Sequence, residues 1–254
     1  MKQRKRICCI LILAALLPAL LAGCGQSAPG GSSPSPESQV IRLELIDEER
    51  MLTLADSGEL YFVSVGDAPI VGTDGKSLTR ENLTGGMMLD VTYDGSAMLT
   101  WPMQLTAEQI RVAERKDDLV GLYRQVLRDL WEEDPGLNDG VAVLGLDLGS
   151  LTNLTDGERA ALMYVAGCDF GTGINCVSGT WEELCEQGYI DRENLYWEDG
   201  VLLSIRLEEA GKDSFTFTVE KWRSGLEAIW FTDCTASRGR DGRWSYEPGG
   251  FAIS

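Results

Sequence analysis

Near Arg115 the apolar pattern of this chain changes period, from two residues to between three and four. A period of two suits strands that bury one face, and a period near 3.6 suits helices that bury a stripe. The two halves therefore call for different layers. From Gln39 to about Arg115 the apolar runs are short: Val40 to Leu45, Met51 to Leu54, Leu60 to Val65, Met87 to Tyr93, Met98 to Leu105 and Gln109 to Val112. Turn signals at Asp56-Ser57-Gly58 and Asp94-Gly95 punctuate them, and Ser77 to Leu83 has room for one helical turn. Such spacing predicts a small barrel or sandwich over residues 38–116.

Residues 117–254 read as α+β. Leu119, Val120, Tyr123, Val126, Leu127, Leu130 and Trp131 predict an amphipathic helix over Asp117 to Glu133, which Asp134-Pro135-Gly136 stops. Val141 to Leu148 reads as a buried strand. Thr155-Asp156-Gly157-Glu158 and Thr180-Trp181-Glu182-Glu183 are capping boxes that open helices to about Val165 and Glu186. An antiparallel meander is expected after them. Asp199-Gly200 joins Tyr196 to Glu198 with Val201 to Glu208 as a hairpin, Phe215, Phe217 and Val219 alternate, and Ala228 to Cys234 precedes Arg243 to Tyr246. No period of 20–50 residues repeats, which argues against solenoids and propellers.

Two resemblances bear on these regions. Gly86-Met87-Met88-Leu89-Asp90-Val91-Thr92-Tyr93, with Trp101-Pro102-Met103-Gln104-Leu105 and Ile110-Arg111-Val112, resembles small OB-like domains of Gram-positive secreted lipoproteins, which implies an all-β OB-like barrel. Gly179-Thr180-Trp181-Glu182-Glu183-Leu184-Cys185-Glu186-Gln187-Gly188-Tyr189-Ile190, with Glu220-Lys221-Trp222-Arg223-Ser224-Gly225-Leu226, resembles a C-terminal domain of lipoproteins from Gram-positive anaerobes, which brings no assigned activity. The helices-then-meander order is also similar to cystatin-like or nuclear-transport-factor-like cones.

The N-terminus carries the signal for location. Lys2, Arg4, Lys5 and Arg6 precede Ile7 to Leu21, which holds no charge and is short for a membrane span. Leu21-Ala22-Gly23-Cys24 then resembles the lipobox of bacterial lipoproteins. That resemblance implies a signal peptide over residues 1–23, a diacylglyceryl group on Cys24, and a protein held at the extracytoplasmic face of the cell membrane. The alternative is an ordinary secretory peptide cut after Gly23, with Cys24 free. Residues 24–37, rich in Gly, Ser and Pro, read as a flexible tether. Cleavage removes four of the 22 basic residues and none of the 40 acidic ones, so anionic headgroups repel what remains.

Composition excludes much chemistry. The net charge of −18 argues against nucleic acid as a partner. The chain has no histidine, which removes Ser-His-Asp and Cys-His pairs and the HExxH zinc site. Cys168, Cys176, Cys185 and Cys234 remain in the exported part as candidate disulfide partners, and four cysteines allow three pairings. Their spacing suits zinc poorly. Asp90-x-Thr92-x-Asp94-Gly95 copies the start of a calcium loop, but Trp101 stands where its glutamate belongs. No metal or cofactor is expected.

The acids Asp47-Glu48-Glu49, Asp117-Asp118, Glu132-Glu133-Asp134, Glu182-Glu183 and Glu208-Glu209 cluster at predicted helix ends and turns. The remaining lead is aromatic. Trp222, Trp230, Phe231, Trp244 and Tyr246 fall on neighbouring predicted strands, either as core filling or as a stacking platform for sugar or peptide. In Trp222-Arg223-Ser224-Gly225, Arg223 is expected to pair a buried carboxylate and Gly225 to supply a bulge. The candidate ligand-binding residues are thus Trp222, Arg223, Trp230, Trp244 and Tyr246. The leading expectation is a non-enzymatic, lipid-anchored envelope protein that binds a small-molecule, glycan or peptide ligand, or an envelope protein partner. The alternatives are a carboxylate-dependent hydrolase of cell-wall or dietary glycans and a structural accessory of an envelope complex.

Overall fold

The computed structural model describes residues 37–254, except Thr172 and Asp241. The signal segment, Cys24 and nearly all of the tether lie outside the described residues. Among those described, no helix is long and apolar enough to cross a membrane.

The first region is a sheet of β1 (Gln39–Asp47), β2 (Leu52–Ala55), β3 (Leu60–Ser64), β4 (Ile70–Val71), β5 (Ser77–Leu78), β6 (Met87–Tyr93), β7 (Met103–Thr106) and β8 (Gln109–Arg115). Its order is β5-β4-β8-β6-β1-β2-β3-β7. Alternation in β6 and β8 buries Leu89, Val91, Ile110 and Val112 with Leu43 and Leu45 of β1. The order is an open path, which corrects the expected closed barrel. Its last segment bends at Ala107-Glu108: the Ala107 N–H donates to the Ser64 carbonyl and the Glu108 N–H to the Thr92 carbonyl. Consequently β7 pairs only with β3 and β8 pairs with β6 and β4. The run from Met98 becomes strand only at Met103, after a loop that leaves Met98, Leu99 and Trp101 exposed. The turn expected after Ser77 is a short 3-10 helix, Arg80–Asn82, capped by Thr79.

The second region begins with α1 (Leu119–Glu132), β9 (Val143–Asp147), α2 (Asp156–Asp169), β10 (Asn175–Ser178) and α3 (Trp181–Glu186). Then come β11 (Gly200–Ala210), β12 (Ser214–Ser224), β13 (Glu227–Arg238), β14 (Trp244–Glu247) and β15 (Gly250–Ile253). Both capping boxes form as the sequence predicts, with Thr155 accepting from the Glu158 N–H and Thr180 from the Glu183 N–H. The sheet order is β10-β9-β11-β12-β13-β14, with β15 also on β13. The expected meander forms, with β11, β12, β13 and β14 antiparallel in chain order, and the unexpected addition is at its other edge, where β9 runs parallel to both β10 and β11. The helix between β9 and β10 makes that possible, since a parallel pair needs a crossover connection.

The hairpin expected at Asp199-Gly200 is absent. Trp197 is fully buried instead, and it lies against Gly145 and Gly200. A Cβ on Gly200 would fall on the indole, and one on Gly145 would approach it to 2.9 Å. The ring therefore occupies space that only glycine leaves open.

Helices α1 and α2 cover one face of this sheet. Val120, Tyr123, Leu127, Leu162 and Val165 pack on Leu144, Leu203, Phe217 and Val219, and Ile46, Leu52 and Leu60 of the first sheet join the same core. Ion pairs that hold buried carboxylates lie along that seam. Lys116 Nζ reaches Glu44 Oε2 and Glu158 Oε1, both at 2.7 Å. Arg124 links Asp47 at 3.0 Å to Asp169 at 2.6 Å, and Arg128 and Arg50 take remaining positions on the same two carboxylates. Burial raises the proton affinity of Asp47 and Asp169, but the guanidinium contacts outweigh it and hold both below the usual carboxylate range.

Lys221 is also buried on the helix face. Its Nζ donates to the carbonyls of Trp131 (3.0 Å), Glu133 (2.6 Å) and Asp134 (3.3 Å), orphan acceptors at and just beyond the C-terminus of α1. Burial pushes its ammonium down to about 8, against the opposing pull of Asp134 and Glu133.

Candidate functional site

Strand β12 sorts its residues by parity. Phe215, Phe217, Val219 and Lys221 are buried on the helix face, so Thr218, Glu220 and Trp222 point to the other. Cross-strand register extends that outer face, because directly opposed residues share a side. Asp147 of β9 opposes Ser204 of β11, Ser204 opposes Glu220, and Glu220 opposes Trp230 of β13. One row of polar and aromatic groups therefore crosses four strands. Arg206, opposite Thr218, stands in the adjoining row on one side. Trp222, opposite Leu202 and Ala228, stands in the adjoining row on the other.

Among the described residues, one end of this face is covered. Leu184 of α3, Ile190, Trp197 and Leu202 form a small core there, with Trp181 and Trp222 against it. The Trp181 and Trp222 rings meet edge-on at 6.1 Å, and Arg192 lies 5.3 Å over Trp181. Ser204 is buried between its neighbours, Asp147, Glu220, Trp222 and Trp230 are half-buried, and Arg206 is exposed.

The electrostatics of the row follow from that burial. Desolvation is the main cause that raises Asp147 above the ordinary carboxylate range; Arg206 opposes it, while Glu183 and Glu182 add to it. Desolvation raises Glu220 too, with Arg206 and a hydrogen bond from Trp230 opposing and Asp147 adding. One β-strand separates the two carboxylates, so their Cα atoms stand roughly 10 Å apart. A face of this kind offers indole surface for stacking, carboxylates that accept hydroxyl donors and a guanidinium that donates.

Comparison with protein-family models, with curated proteins and with solved structures finds no match. No family is shown.

The five predicted ligand-binding residues divide three ways. Trp222 and Trp230 lie on the outer face. Trp244 and Tyr246 pack on the helix side, 5.2 Å from Phe215 and 5.8 Å from Phe217 respectively, and the Tyr246 hydroxyl donates to Asp129 Oδ2 at 2.6 Å. Among the described residues Arg223 meets no carboxylate, which corrects the expected pairing. Its guanidinium donates to the backbone carbonyls of Leu137 (3.0 Å), Asp139 (2.7 Å) and Glu198 (3.0 Å) and ties two loops to β12. The irregularity in the β12–β13 ladder falls between Trp222 and Ser224, ahead of Gly225.

All four described cysteines carry free thiols. Cys234 is buried, and burial pushes its thiol up to about 11. In the calcium-like stretch, Asp90 is taken by Arg42, whose Nε donates at 2.9 Å, and Asp94 Oδ1 accepts from the Ser96 N–H.

Sequence reasoning missed Asp147, Ser204, Arg206 and Glu220 as members of one site. A local signal did exist. Each interrupts or ends an apolar run, and Glu220 stands out of phase with Phe215, Phe217 and Val219. Only the pairing of distant strands turns those interruptions into one row.

Proposed function

We propose that this protein is a lipid-anchored, extracytoplasmic binding protein that takes glycan on the outer face of its second sheet. The observation that carries the ligand class is the placement of Trp222 and Trp230 on one half-open face with Glu220, Ser204, Asp147 and Arg206. Indole rings stack on the apolar face of a sugar, and flanking carboxylates accept its hydroxyl protons. Anchoring draws its support from Leu21-Ala22-Gly23-Cys24 after an uncharged apolar core. Two acyl chains on Cys24 would hold the protein stably, where one chain would not. An OB-like ancestry for the first region is part of the same proposal. Its support is an antiparallel β1–β2–β3 meander, parallel β3–β7 pairing and antiparallel β8–β6–β1 pairing.

The test is a titration with soluble cell-wall and plant-derived oligosaccharides, followed by tryptophan fluorescence. Saturable quenching that disappears in Trp230→Ala is expected. Identical curves for Trp230→Ala and the parent would overturn the ligand assignment. Anchoring is tested apart from it: a Cys24→Ala variant that stays membrane-bound would overturn the anchor.

One observation favours a second reading, glycoside hydrolysis. Asp147 and Glu220 both have raised proton affinity, as a general acid requires, and they stand in one row with a single strand between them. Release of reducing sugar by the parent, lost in Glu220→Gln, would select hydrolysis over binding alone.

A further inference from the structure

The first sheet carries two cavities that share Arg50, Val63 and Ser64. One of them, of about 580 Å³, is lined by Arg50, Arg80, Ser64, Ser77, Thr79 and Asp67 among other residues. The chain holds 40 acidic and 22 basic residues, yet this lining has two arginines and a single acid. Local charge inverts the overall balance.

The source of that positive charge is structural. In the network around two buried carboxylates, Asp47 and Asp169, the guanidiniums of Arg50, Arg124 and Arg128 share the acids. Three cations contact two anions directly, and Asp118 acts on Arg124 from further away. The open end of this network is Arg50, the member that also lines the cavity. Asp47 Oδ2 holds Arg50 Nη1 at 2.6 Å, and Asp169 Oδ1 lies 3.9 Å from the same nitrogen. Arg80 is fixed at the rim, where its Nη2 donates to the carbonyls of Glu48 and Glu49. These contacts leave Nε and Nη2 of Arg50, and Nε and Nη1 of Arg80, without a bond among the described residues.

We infer that this cavity is a binding site for an oxyanion, a carboxylate or phosphate group held between Arg80 and Arg50. A planar guanidinium presents paired N–H donors that match the two oxygens of either group, and both forks are positioned before the ligand arrives. Ser64 and Ser77 also line the cavity, and a serine hydroxyl can add a neutral donor. The site lies on the first sheet and stands independently of the glycan face.

The experiment is an NMR titration of the full chain with inorganic phosphate and, separately, with propionate, against chloride at matched ionic strength. Saturable shifts are expected in the amides of residues 64–68 and 77–80 and in the Arg80 Nε–H. Saturation by phosphate alone assigns a phosphate group, and saturation by propionate alone assigns a carboxylate. Arg80→Ala should weaken the binding roughly tenfold or more, because a charge-assisted contact is lost. Arg80→Lys should restore part of it. The amide spectrum away from the cavity checks that each variant folds. Shifts that match the chloride control for both probes, or an affinity unchanged in folded Arg80→Ala, would overturn the site.

Discussion

The two faces of the second sheet come from the same strands and differ by one residue of phase. Under α1 and α2, the helix face holds Phe215, Phe217, Val219 and Ile229 in a closed core. It admits one cation, Lys221, which three carbonyls at the end of α1 satisfy. Among the described residues the outer face is covered at one end, and it leaves Asp147 and Glu220 half-buried and Arg206 exposed. Coverage by a neighbouring element decides what each face can do. Where helices seal the sheet, Lys221 survives because three carbonyls take its ammonium, while the Trp244 indole nitrogen is buried there without a partner among the described residues. Where the cover stops, acids stay half-buried and keep free valences for a ligand.

Substitutions can break or sharpen that contrast. Truncating the helix face should have the largest effect. Phe217→Ala should cost about 3–5 kcal/mol, read as a fall in the urea midpoint at unchanged slope. Lys221→Ala comes next, at about 2–3 kcal/mol, because it leaves a cavity and unpaired buried carbonyls. The lysine also has a signature in pH. Burial places its folded-state value at about 8, below the ordinary lysine value, so between those limits the unfolded chain binds the extra proton. Stability from this group should rise with pH through that window, and Lys221→Met should remove the rise.

On the outer face, Trp230→Ala should change stability by under about 1 kcal/mol while weakening glycan affinity roughly tenfold. Equal losses of stability on the two faces would end the distinction between core and site. The smallest effect should come from Asp147→Asn with Glu220→Gln. Both acids hold protons more tightly in the folded chain, so the parent loses stability as pH rises from the unfolded carboxylate range through the folded values. The double variant should flatten that decline and be slightly more stable at neutral pH. A steeper decline would contradict the burial argument.

Local signals carried well from sequence to structure. The helical stripe from Leu119 to Trp131 and the Thr155–Glu158 and Thr180–Glu183 boxes involve residues a few positions apart, and all three helices form. Non-local features were illegible. Asn175–Ser178 has no clear alternation and becomes β10 only because β9 offers a parallel edge. Trp197 read as strand because its burial depends on Gly145, far along the chain. The site behaved likewise. Trp222 and Trp230 could be named from composition, but their separation from Trp244 and Tyr246 needed the register. Arg223 showed its charge in the sequence, whereas its carbonyl partners belong to loops at 137–139 and 198.

The indole of Trp197 and the two glycines beneath it form an interlocked trio. Any side chain gained at position 145 or 200 has to evict the ring, and a smaller residue at 197 leaves both glycines facing a void. In an evolving lineage these three positions should drift as a block or stay fixed, even though only two of them are close in sequence. Their joint presence in a distant sequence would therefore serve as a fingerprint of this fold when little else in the chain remains alignable.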